Sequence, residues 1–278
     1  MQPARAYDAE DPLGPGTVVA GFELDRLLGE GGMGQVWLGR HGREQVAVKL
    51  MRGELAKSDQ HRRRFGREAA AAQAASSRHV VPIIDTGEWE GVPYLIQSFV
   101  SGGSLRDRLE RSRRLPLDET QRICAEVGTG LNSLHENGLI HRDVKPENIL
   151  FDGSGMAMIS DFGLVKDPGA SMLTMPGKTI GTTWYMAPEQ VRGEEVTAAT
   201  DVYALACVAY ECLVGKTPFG DTSGMKTLWA HLRDEPANPC ELQPDIPEGV
   251  GFTLLKGLEK EPGDRPPTPA MLAVMLRV

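Results

Sequence analysis

The chain changes its hydrophobic period once, at Gly102-Gly103. Before that point apolar residues come in short alternating runs. Phe22-Glu23-Leu24-Asp25-Arg26-Leu27, Gln35-Val36-Trp37-Leu38 and Gln45-Val46-Ala47-Val48-Lys49-Leu50 show the two-residue repeat of half-buried strands. Val81–Asp85 and Pro93–Val100 read the same way, and only Ser58–Ala75, basic in its first half and Ala-rich in its second, has helical character. After the two glycines the spacing becomes helical over Leu105–Arg111, Leu117–Asn137, Thr200–Val214, Met225–Arg233 and Gly251–Glu259. A strand-rich first third and a helical remainder predict an α+β chain of two lobes with a cleft between them, an N-lobe of about 17–100 and a C-lobe of about 101–278. Residues 1–16, with Pro3, Pro12, Gly14, Pro15 and Gly16 and little apolar content, read as a flexible leader.

Composition excludes several classes. With 278 residues the chain can bury one large core or two modest ones, and its 41% hydrophobic content is ordinary for a globular protein. A net charge of −8 disfavours nucleic acid as a partner, because phosphate binding needs a basic face. The longest apolar stretch, Tyr203–Val214, contains Glu211 and falls short of the roughly 20 residues that span a bilayer. No apolar run near the start suits a signal peptide. Cys124, Cys207, Cys212 and Cys240 lack metal-ligand spacing, and Cys207 and Cys212 lie in apolar helical sequence, so buried free thiols in a reducing cytosol are expected.

Two clusters carry chemistry. His141-Arg142-Asp143-Val144-Lys145-Pro146-Glu147-Asn148 is followed, thirteen residues after Asn148, by Asp161-Phe162-Gly163. Asp143 can face a hydroxyl nucleophile, Lys145 sits two residues on, and Asn148 and Asp161 offer the oxygen donors that Mg²⁺ prefers. Upstream, Gly29-Glu30-Gly31-Gly32-Met33-Gly34-Gln35-Val36 lies between two strands and not at a helix start. That placement suits a hairpin whose amides close over phosphates better than a dinucleotide fingerprint. Lys49 ends an alternating strand, either as a solvated surface lysine or as a cation for phosphate.

Together these motifs resemble the catalytic domain of the serine/threonine protein kinases. The glycine segment and the run Arg63-Arg64-Phe65-Gly66-Arg67-Glu68 are most similar to the bacterial, eukaryotic-like (Hanks-type) branch. The resemblance spans residues 17–278 and implies the two-lobed protein kinase fold: a small antiparallel-sheet N-lobe with one main helix and a larger, mostly helical C-lobe. It implies ATP-dependent phosphorylation of protein Ser/Thr hydroxyls, with autophosphorylation of an activation loop. A nucleotide-binding pseudokinase scaffold is the alternative, against which the intact Lys49, Asp143 and Asp161 count.

By that resemblance Asp143 orients the attacking hydroxyl and takes its proton, and Lys145 offsets charge on the phosphoryl group. Asn148 and Asp161 hold Mg²⁺, with Mn²⁺ an alternative; Lys49 touches the α- and β-phosphates and is held by Glu68, with Glu54 as runner-up. ATP would be bound by Gly29, Glu30, Gly31, Gly32, Met33, Gly34, Val36, Ala47, Lys49, Gln97, Ser98, Val100, Ser104 and Leu150. Asp161 to Glu189 bounds an activation segment with Ser171, Thr174 and Thr179 as candidate phosphosites and Thr182 as a packing residue. Arg142 would receive the loop phosphate, joined by Lys166 or by Arg62-Arg63-Arg64, for which a solvated helix face is the favoured reading. Glu189 pairs with Arg265, and Asp201 braces the catalytic loop.

Two departures stand out: Gln97-Ser98-Phe99-Val100 lacks the apolar residue and Glu that relatives commonly carry, and Ala72 replaces a larger side chain, implying a helix held loosely until activation. Expected partners are protein substrates, with a homodimer through the N-lobe open beside a monomer, and neither nucleic acid nor membrane. The expected location is the cytoplasm, or the intracellular side of a longer membrane protein.

Overall fold

The computed structural model describes residues 13–31, 34–51, 58–75, 77–161, 183–220 and 224–277. The chain has the two-lobed kinase fold and divides into two compact units, residues 1–74 with 81–99 and residues 75–80 with 100–278.

The first unit is a six-stranded antiparallel sheet. Its strands are β1 (Val18–Val19), β2 (Phe22–Gly31), β3 (Gly34–His41), β4 (Glu44–Met51), β5 (Ile83–Trp89) and β6 (Val92–Ser98), in spatial order β1-β2-β3-β4-β6-β5. Alternation puts Val46, Val48 and Leu50 on one face with Trp37, Tyr94 and Ile96, where they form the core. Each such side chain contributes about 1.5–3 kcal/mol by leaving water. Leu13 packs against this core and the Gly16 N–H donates to Leu24 O (2.8 Å), so residues 13–16 lie against the sheet. Helix α1 (Asp59–Ala74) packs on β5 and β6. It buries Phe65, Ala69 and Ala72, spaced at three to four residues as one helical face requires.

The three consecutive arginines do not form one solvated face, because successive helical residues point about 100° apart. Arg62 pairs with Glu88 on β5, Arg63 is exposed, and Arg64 is buried and donates to Glu68 (2.8 Å).

In the second unit α2 (Leu105–Ser112) and α3 (Leu117–Glu136) precede a two-stranded hairpin of β7 (Ile149–Phe151) and β8 (Ala157–Ile159). Then follow α4 (Pro188–Arg192), α5 (Ala198–Val214), α6 (Met225–Arg233), α7 (Pro239–Leu242), α8 (Glu248–Gly257) and α9 (Pro269–Met275). Helix α5 is buried from Thr200 to Val214 and is the axis that α3, α8 and α9 pack around. Cys124, Cys207 and Cys212 are free and buried, while Cys240 is partly exposed. Among the described residues no helix is long and apolar enough to cross a membrane.

Residues 75–80 join this unit through specific bonds. His79 Nδ1 lies 3.1 Å from Ala157 O, the Ile159 N–H donates to His79 O (2.8 Å), and Val80 bridges Ile159. The approach of this strand to α3 needs glycine: a Cβ on Gly130 would lie 2.5 Å from His79 O. Gly130→Ala should therefore lower stability by about 1–2 kcal/mol despite the better helix propensity of Ala, because the overlap is with backbone. Urea unfolding checks this; an unchanged midpoint would show that the strand gives way at no cost.

Candidate active site

The candidate catalytic residues lie on the segment from His141 to Asn148 in the second unit, and a buried carboxylate holds its start. Asp201, in the first turn of α5, is wholly buried. Its oxygens accept from the backbone N–H of His141 (2.9 Å) and of Arg142 (2.9 Å), and His135 Nε2 lies 2.7 Å away. Burial alone would raise its pKa; the hydrogen bond and charge of His135, with His141, outweigh burial and hold the carboxyl below its ordinary value. These bonds secure a backbone that would otherwise be disfavoured, since Arg142 has φ 65°, left-handed without being glycine; Asp161 shares that conformation at φ 56°.

His141 fixes the next link. It is fully buried, its Nε2 bonds to Ser160 O (2.8 Å), and its Nδ1 accepts the Asp143 N–H (3.2 Å), which assigns the ring proton to Nε2. The Ser160 N–H donates to Asn148 O (2.8 Å), so Asp161 follows a residue tied to Asn148. Asn148 Nδ2 donates to Asp143 O (2.8 Å) and Asp143 Oδ2 (3.1 Å), which turns its Oδ1 into the atom available to a cation. Lys145 Nζ lies 2.9 Å from Asp143 Oδ2. Burial would lower the Lys145 pKa, but the carboxylates of Asp143, Glu147 and Asp161 outweigh it and raise it, so the ammonium persists at neutral pH.

A second network was not anticipated from the sequence. Arg106 on α2 donates to Glu147 (2.8 Å), to Glu211 on α5 (2.8 Å) and to the Tyr185 hydroxyl, which itself donates to Glu211. It anchors the catalytic segment one residue before Asn148. Glu211, an acid inside an otherwise apolar stretch, was the only signal for it. Gln190 Nε2 donates to Arg142 O (3.0 Å), adding a tie from α4. Glu189 and Arg265 form a buried two-pronged pair at 2.8 Å, with Thr200 donating to the same carboxylate. Ser104 and Leu150 face each other across a β-bridge, and Ser104 caps α2 through Asp107.

In the first unit, strand register gathers the candidate nucleotide-binding residues. Directly paired residues share a sheet face. Gly29 pairs with Val36, Val36 with Lys49 and Lys49 with Leu95, while Ala47 pairs with Gln97. Val36, Ala47, Lys49 and Gln97 therefore lie on one face, opposite the core; Ser98 pairs with Val46 on the other. Glu68, the candidate partner of Lys49, receives Arg64. Val100 begins the second unit. Gly32, Met33, Glu54, Phe162, Gly163, Lys166, Ser171, Thr174, Thr179 and Thr182 lie outside the described residues.

The sequence profile described as "Protein kinase domain" matches residues 22–273, and the chain belongs to that family. It is 38% identical to the serine/threonine-protein kinase PknB of Mycobacterium leprae (strain TN) over 265 residues, 92% of this chain and 43% of that protein. It is also 38% identical to PknH of Mycobacterium tuberculosis (strain ATCC 25618 / H37Rv) over 260 residues, 93% of this chain and 41% of that protein. The crystal structure of the Mycobacterium tuberculosis PknI kinase domain superimposes with a TM-score of 0.77 at 27% identity, covering 96% of this chain and 98% of that one. The chain thus spans less than half the length of the curated relatives it matches. This homology supports serine/threonine kinase activity in general.

The glycines of the β2–β3 segment separate into two kinds. A Cβ on Gly34, whose φ is 152°, would lie 1.9 Å from Leu50 O, whereas a Cβ on Gly29 or Gly31 would meet nothing within 4 Å. Gly34 is required by the sheet, whereas the described residues leave room for a Cβ at Gly29 and Gly31. Gly34→Ala should cost about 2–3 kcal/mol of stability, and Gly29→Ala less than about 1 kcal/mol, while the latter weakens ATP binding. Urea unfolding beside nucleotide titration checks both; a Gly34→Ala chain as stable as wild type contradicts the assignment.

Proposed function

We propose that the chain transfers the γ-phosphoryl group of ATP to Ser or Thr hydroxyls of proteins, its own activation segment among them. The observation that carries this reading is the bonding around Asp143. One carboxylate oxygen is shared by Lys145 and Asn148, and the backbone N–H groups of Arg142 and Asp143 are tied to Asp201 and His141 respectively. A carboxylate held this way can align a substrate hydroxyl and take its proton as the bond to phosphorus forms. Lys145, charged and next to it, offsets negative charge on the transferring group. Lys49 would steady the α- and β-phosphates from the sheet, with Val36 and Ala47 on the same face beneath the base and sugar.

The donor set suits Mg²⁺, since Asn148 and Asp161 supply oxygen. Among the described residues no group of three or more His, Cys, Asp or Glu could hold a metal. Mg²⁺ fits that pattern, because it takes one or two protein ligands and leaves the remainder to phosphate and water. When bound it would supply charge neutralisation for the phosphates; the protein's own part is to place the two oxygens near Asp143.

Incubation of the purified chain with Mg²⁺ and ATP, beside Asp143→Asn, tests this, with phosphosites mapped by mass spectrometry. Phosphate on Thr174 or Thr179 should form in the unaltered chain. The variant should bind ATP as before and transfer about 10²–10⁴-fold more slowly, the usual share of a positioned base. Equal transfer by the variant would remove Asp143 from its role. ATP binding without phosphate anywhere would favour a nucleotide-binding scaffold.

A further inference from the structure

Gln97 is 6% exposed, and among the described residues its Nε2 has no hydrogen-bond partner. A buried amide without an acceptor is unfavourable, and an apolar residue of the same size would fill the position at no such cost. Its place in the sheet gives the unpaired donor a meaning. Gln97 pairs with Ala47, and the next row of the same face pairs Leu95 with Lys49. The two rows are about 7 Å apart, two residues at ~3.4 Å each. Along β4 the core-facing Val46, Val48 and Leu50 are buried, while Ala47 and Lys49 remain partly exposed. The face that holds Lys49 is thus partly exposed at Ala47, where the side chain is a single methyl, and Gln97 is the residue paired with Ala47 on that face.

We propose that Gln97 reads the base of the bound nucleotide, its Nε2 donating to N7 of the purine ring. The inference rests on nucleotide binding as proposed above, with the phosphates at Lys49 and the base further along the strand at Ala47. Glutamine is suited to this edge: adenine presents N7 as an acceptor beside the N6 amino group, and a side-chain amide matches both. The ligand supplies the acceptor that the protein withholds, so the unfavourable amide of the empty site becomes a selective contact in the filled one.

The test compares ADP with 7-deaza-ADP, which has C–H in place of N7, by calorimetric titration of the whole chain and of Gln97→Met. ADP avoids turnover. The unaltered chain should bind ADP about 3–10-fold more tightly than the analogue, the value of one hydrogen bond net of solvent, and Gln97→Met should bind the two alike. Without nucleotide, Gln97→Met should melt higher by about 2–5 °C, because the unpaired amide is gone. ADP binding with no preference in the unaltered chain overturns the role of Gln97 and leaves nucleotide binding standing. The same preference in both proteins overturns it too. Failure to bind either nucleotide removes the nucleotide reading and Gln97's role with it. If Gln97→Met does not fold, Gln97→Leu takes its place in the same comparison and must lose the preference in the same way.

Discussion

The Asp201 carboxylate is the constraint on which the catalytic segment depends. It is fully buried on the helix that forms the axis of the second unit, and it spends its oxygens on two consecutive backbone N–H groups and a histidine. Burying a charge is costly unless it is paired and fully hydrogen-bonded, so its partners are held tightly. Through those bonds the left-handed turn at Arg142 becomes part of a rigid framework, and Asp143 leaves it in one direction. His141 carries the constraint on to Ser160, and Ser160 to Asn148. The candidate catalytic carboxylate and the metal-ligand candidates are thus positioned from the interior outward.

Around this framework charge is graded by burial. Glu189–Arg265 is buried and Asp201, itself buried, meets a partly exposed His135; both pairs hold backbone segments in place. Arg106 is intermediate: burial opposes its charge, but Tyr185, Glu211 and Glu147 together raise its pKa further. That guanidinium joins α2, α5, the segment before α4 and the catalytic segment at one point, so a shift in any of them reaches Glu147. Lys145 and Asp143, nearest the chemistry, stay partly accessible. Rigidity inside and access outside is the arrangement that pre-organised electrostatic catalysis requires.

Legibility in the sequence followed separation along the chain. Asp143, Lys145 and Asn148 stand within six residues, and their chemistry follows from residue type and spacing. The two-residue period puts Ala47 and Lys49 on one face of their own strand, but Val36 joins them only through the strand register, which the sequence does not show. The tie from Asp201 to His141 crosses 60 residues and was legible only through resemblance. Arg106 to Glu211 crosses 105 and was not legible at all, since an arginine in an exposed-looking helix carries no mark of its partner. The β7–β8 hairpin escaped because three-residue strands are too short to show alternation. Arg64 turned inward because composition hides the helical phase. Residues 75–80 join the second unit through the His79 ring and backbone bonds of His79 and Val80, which no local sequence pattern encodes.

Amide hydrogen exchange at His141 and Arg142, measured in the unaltered chain and in Asp201→Asn, tests the central claim most directly. These two amides should be strongly protected in the unaltered chain. In the variant they should exchange markedly faster, with protection retained in α3 and in the first unit's sheet, and phosphoryl transfer should fall in step. Unchanged protection at both positions, or full transfer after protection is lost, would contradict the claim that Asp201 sets the catalytic segment.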